Sequence, residues 1–112
     1  MDKSIRKKLR EIADFAYERE LGQHLSKLYD EFVAWRSGKI SSRELCDRVH
    51  NFHNGQLHDA YILCSDSKPD IVVAKALSMG IITEDEVPDD VRKAIARSIE
   101  AFRMMDDSDT TG

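Results

Sequence analysis

At 112 residues, with 41% hydrophobic and 34% charged side chains, the chain has the size and composition of one folded domain. No apolar run approaches the ~20 residues of a membrane-spanning helix, and Met1-Asp2-Lys3-Ser4 leads into alternating charge rather than an apolar leader, so a cytoplasmic chain is expected. The net charge is −4, but Asp106, Asp107 and Asp109 stand together near the end, which leaves a nearly neutral body and disfavours a dedicated nucleic-acid binder.

Residues 4–36 predict one long helix, with no proline, a single glycine and many strong helix formers. Lys3, Arg6, Lys7 and Arg10 recur at i, i+3, i+4 and i+7, a basic face that suits solvent, a phosphate backbone or an acidic partner. The apolar residues of this helix form two stripes. Ile5, Leu9, Ile12 and Ala16 stay within about 40° of one line at ~100° per residue, and Leu21, Leu25, Leu28, Phe32 and Trp35 lie nearly opposite. At ~1.5 Å per residue the helix spans about 50 Å, whereas a compact domain of this length is only about 35 Å across. It must bend near Glu20-Leu21-Gly22 or rest one stripe on another chain. The 3-4 spacing of Leu25, Leu28, Phe32 and Trp35 fits the seam of the chain's own bundle. Ile5, Leu9, Ile12 and Ala16 are then the expected interface.

Ser37-Gly38 supplies a stop, with Gly38 suited to the left-handed position after a helix. Ser41 and Glu44 match a capping box, which starts a second helix over 42–53. Asn54-Gly55 should end it. A two-turn helix follows over 56–64, then a loop over 65–68. Pro69 opens a helix that runs to Met79 and closes at Gly80. Thr83 and Glu86 form a second capping-box match, and Pro88 restarts the chain into a last helix over 89–105. Val91, Ile95, Ile99 and Phe102 make its buried stripe. No segment shows strand alternation. The class is all-α: a small bundle of about five helices with a long first helix, one domain over 1–105, and a disordered acidic tail over 106–112.

The richest chemical stretch lies around the second helix. Cys46, His50 and His53 recur at i, i+4 and i+7, His58 follows Gly55, and Cys64 lies beyond. Sulfur and imidazole in this spacing suit a tetrahedral zinc ion. Against that stand the absence of a Cys-x-x-Cys pair and of His-Glu-x-x-His. Two cysteines also suit a reduced chain in which Cys is an ordinary core residue. Asp47 and His50, and Glu20 and His24, are the carboxylate–imidazole pairs at helical spacing. Two-sidedness, near-neutrality and missing catalytic motifs favour a non-enzymatic protein that acts by association with protein, chiefly with its own copy. A small metal-dependent protein built on Cys46, His50, His53 and His58 is the first alternative. Nucleic-acid association through Lys3, Arg6, Lys7 and Arg10 is the second.

Overall fold

The computed structural model describes residues 2–59 and 68–111. Among these there are five α-helices and no strands: α1 (Lys3–Arg36), α2 (Ser42–Phe52), α3 (Pro69–Ser78), α4 (Asp89–Ala94) and α5 (Ala96–Thr111). The fold is the expected small all-α bundle. No helix of the described residues is long and apolar enough to cross a membrane.

α1 runs unbroken through Gly22 for 34 residues. At ~1.5 Å per residue that is about 51 Å, and the long dimension of the molecule is 53 Å. The radius of gyration, 17.0 Å, exceeds the roughly 13 Å of a compact chain of this length. The helix therefore does not bend back at Glu20-Leu21-Gly22. A single glycine only weakens a helix, and here neighbouring turns carry it.

The core is built on the first half of α1. Leu9, Ala13 and Ala16 are buried against Val72, Val73 and Ala76 of α3, with Ile81, Ile82, Val87, Val91 and Ile95 closing the cluster. Ile5 and Ile12 pack against its edge. The stripe expected to face another chain is therefore the seat of this chain's own core, with Leu9 and Ala16 each 2% exposed. Two physical reasons reverse the expectation. α3 is short and buried on several sides, so it needs apolar cover along its length. Ala13 and Ala16 are small, so they let α3 approach α1 closely, which the larger side chains of the second stripe do not.

Local signals hold the joints. Gly38 (φ +81°) and Gly80 (φ +74°) take left-handed backbone after α1 and α3. Each is followed by the paired bonds of a Schellman ending: Gly38 N–H to Trp35 O (3.1 Å) and Lys39 N–H to Ala34 O (2.9 Å), then Gly80 N–H to Leu77 O (3.2 Å) and Ile81 N–H to Ala76 O (2.9 Å). In the second, Ile81 and Ala76 share the core cluster, the apolar contact that commonly accompanies this ending. Pro69 stands in the first turn of α3, where its missing N–H costs nothing.

Three boundaries differ from expectation. Asn54-Gly55 does not stop the second helical segment; the backbone widens into a π-type turn at His53–Leu57 instead. Gly55 does not take the positive φ that a glycine stop requires. The last helix breaks at Ile95 (φ −111°, ψ 17°), which divides it into α4 and α5. Ile95 is 2% exposed, so the break turns the chain around the core side chain. Helical bonds continue on both sides, from Ile95 N–H to Val91 O and from Ile99 N–H to Ile95 O, both 3.1 Å. Finally, α5 carries helical backbone on to Thr111, beyond the expected end at Met105 and into the segment expected to be a disordered tail. Most of the helix expected over 56–64, Cys64 included, lies outside the described residues.

Candidate functional site

The second half of α1 is packed differently. Among the described residues, α2 and the π-type turn that follows it lie alongside it, and Leu45 is the one buried residue of α2. Ser41 caps α2, accepting the Glu44 N–H at 3.1 Å. The Glu44 carboxylate is 3.9 Å from Arg48, so the return half of the expected capping box gives way to an ion pair along the helix. Arg48 also bonds Glu31 of α1, and the Trp35 indole N–H donates to Ser42 Oγ at 2.9 Å. These contacts hold α2 against one flank of α1. Leu28 and Trp35 are half-buried there, and a cleft of about 370 Å³ opens between Leu28 and Phe52.

The rest of that half of α1 stands open. Leu25 is 52% exposed, Tyr29 68%, Phe32 41% and Val33 47%. Leu25 and Phe32, expected in the bundle seam, are thus on the surface. An eleven-residue α2 covers one side of a helix, and the second stripe is wider than that. At ~100° per residue, Glu18, Gly22, Leu25, Tyr29, Phe32 and Arg36 fall within about 40° of one line. The core face, Leu9, Ala13 and Ala16, lies roughly 180° around the same helix. The open seam therefore points away from the domain. Its spacing alternates three and four residues, the pattern of a helix that packs on another helix. Tyr29 and Val33 were not part of the stripe read from the sequence. The alternation from Gly22 through Leu25, Tyr29 and Phe32 is the signal that reveals Tyr29, and Val33 follows it one turn on, at the edge of the same face.

The root of the seam is fixed by one clamp. Arg19 makes two parallel bonds to the Glu86 carboxylate, each 2.8 Å, and donates to Ile81 O at 2.9 Å. Its guanidinium also lies 4.3 Å from the centre of the Phe15 ring, a cation–π contact. Glu86 accepts the Thr83 N–H at 3.0 Å, which completes the expected capping box. The bond from Arg19, then that from Thr83, hold the Glu86 carboxyl down at about 2, from an ordinary 4.5. Lys8 repeats the connection further back, 2.9 Å from Asp90.

His24 sits where the seam half meets α2. Its Nε2 is 3.5 Å from Glu20, and its ring meets Phe52 edge-on at 6.2 Å. Its buried Nδ1 has no hydrogen-bond partner among the described residues. The expected metal ligands are arranged otherwise. Cys46, His50, His53 and His58 are all exposed, because Leu45, Val49 and Phe52 turn the other face of α2 toward α1. His50 Nε2 is 3.1 Å from Asn54 Nδ2. Among the described residues, no three of His, Cys, Asp or Glu come together as a metal-holding group.

The four basic residues of the N-terminal turns lie on the surface of α1. Lys3, Arg6, Lys7 and Arg10 are exposed and form no ion pair among the described residues. Arg6 and Arg10 join Lys68 and Asp70 around a cleft of about 350 Å³ at the start of α3.

No protein-family model, curated protein or solved structure matches the chain.

Proposed function

We propose that this protein works by protein–protein association, chiefly with its own copy, as a non-enzymatic helical regulator or adaptor, through the outer face of the second half of α1. The observation that carries the reading is the open seam of Leu25, Tyr29, Phe32 and Val33. Large apolar side chains gathered on one exposed face mark a contact surface, whereas scattered ones do not. The reading places the chain in the cytoplasm, where the exposed free thiol of Cys46 stays reduced.

Light scattering on a sizing column tests it. The wild type should run above the 12.8 kDa of one chain, and Leu25→Glu with Phe32→Glu should run at that mass with unchanged helicity. A wild type that stays at one chain's mass across concentration, or a variant that associates as before, contradicts the reading.

A second reading rests on Lys3, Arg6, Lys7 and Arg10, which form no ion pair among the described residues, with Lys68 beside Arg6 and Arg10. They offer a strip for a nucleic-acid backbone, opposed by the net charge of −4. A gel shift that weakens steeply with salt supports it, and one absent at low salt removes it.

A further inference from the structure

We infer that the occupant of the seam is a second copy of this chain, lying antiparallel with its two-fold axis at the level of Lys27. The inference rests on the seam reading above and adds direction and register.

A two-fold contact is reciprocal: if residue i meets residue j, then j meets i. On two antiparallel helices this requires pairs placed symmetrically about one level. The seam has three such pairs about Lys27: Leu25 with Tyr29, Gly22 with Phe32, and Glu18 with Arg36. Each is complementary in its own way. Leu25 and Tyr29 are both apolar and exposed, and together they fill the centre. Phe32 falls over Gly22, where an added Cβ would meet nothing within 4 Å, so the ring has space to lie on backbone. Glu18 and Arg36 are exposed, form no ion pair among the described residues, and bring opposite charges to each end of the contact.

Other arrangements lose this match. A parallel pair sets Glu18 on Glu18 and Arg36 on Arg36, which repels at both ends. Sliding the antiparallel pair to the next packing register sets Tyr29 opposite Glu18 in one direction and Leu25 opposite Arg36 in the other. Only the register about Lys27 gives every large apolar residue an apolar partner or a glycine. The core face lies on the far side of α1, so the domain does not stand between the two seams.

Charge exchange tests the inference without touching the cysteines. Glu18→Arg alone and Arg36→Glu alone should each weaken self-association roughly three- to tenfold, since each creates two like-charge contacts per dimer. The double variant should return to within about twofold of the wild type. A spin label at Ser37→Cys, in a background with Cys46→Ser and Cys64→Ser, should report a separation of about 30 Å, because twenty residues of helix lie between the two labels. Labels within about 20 Å of each other, or single variants that dimerise as tightly as the wild type, overturn the register while the seam reading stands. A wild type that never exceeds one chain's mass removes both.

Discussion

The two halves of α1 are one continuous helix put to opposite uses. In the first half small and branched residues, Leu9, Ala13 and Ala16, are buried in one cluster with α3, with Val91 of α4 and with Ile81, Ile82, Val87 and Ile95. In the second half Leu25, Tyr29 and Phe32 stand open although they are large and mainly apolar. Burial here follows which elements the chain returns to each half, and hydrophobicity alone does not decide it. The first half carries the core that α3 and α4 close. Among the described residues, the second half receives α2 and the π-type turn after it.

The largest expected effect sets the halves apart by stability. Ile95→Ala should cost about 2–5 kcal/mol, because it opens a cavity in a side-chain cluster that cannot collapse freely. Leu25→Ala, measured at a concentration where the chain is monomeric, should change stability by no more than about 0.5 kcal/mol. Urea midpoints at constant slope give both values. Comparable losses at the two positions would erase the distinction.

Smaller changes sharpen it at the α2 end. Ser41→Ala should cost about 1 kcal/mol by freeing the Glu44 N–H, and Glu44→Ala should cost less, because its carboxylate lies toward Arg48. A larger loss at Glu44 than at Ser41 would restore the full capping box. Gly22→Ala should raise monomer stability by about 0.5–1 kcal/mol, since the position is helical and open. An unchanged or lowered midpoint would show that the helix needs glycine there.

The clamp between the halves responds to acid. Glu86 titrates at about 2 when folded, against an ordinary 4.5. A carboxylate whose folded value is depressed stabilises the native state above the ordinary value, and loses that contribution as pH falls from there through the folded value. The midpoint advantage of the wild type over Glu86→Gln should therefore be full at pH 6 and fade between about 4.5 and 2. The pair is partly exposed, so added salt should also reduce it. An advantage that persists unchanged at pH 2 would contradict the assignment to the Arg19 pair.

What was legible in the sequence was local. Gly38, Gly80, Pro69, Ser41 and the Thr83–Glu86 box act within a few residues, and each ends or starts an element as read. The two stripes of α1 were legible as well, and so was the choice between a bend and a straight helix that overhangs. Which stripe becomes core was not, because Ala13 and Ala16 count for little on a hydropathy pattern while their small size decides where α3 settles. Arg19 and Glu86 are 67 residues apart, and no spacing rule connects them. The break at Ile95 arises from wrapping around the core, which helix propensity does not report. The zinc spacing of Cys46, His50 and His53 was real as a pattern, but it describes the outer face of α2 and the first residue of the turn after it.

Hydrogen exchange along α1, followed as a function of protein concentration, tests the central claim most directly. Amides of the first half, from Leu9 to Ala16, should be protected to the full stability of the fold at every concentration, because the chain's own core covers them. Amides from Leu25 to Arg36 should exchange readily when dilute and slow as concentration rises, as the proposed association through that half requires. Equal protection in both halves, independent of concentration, would contradict the account.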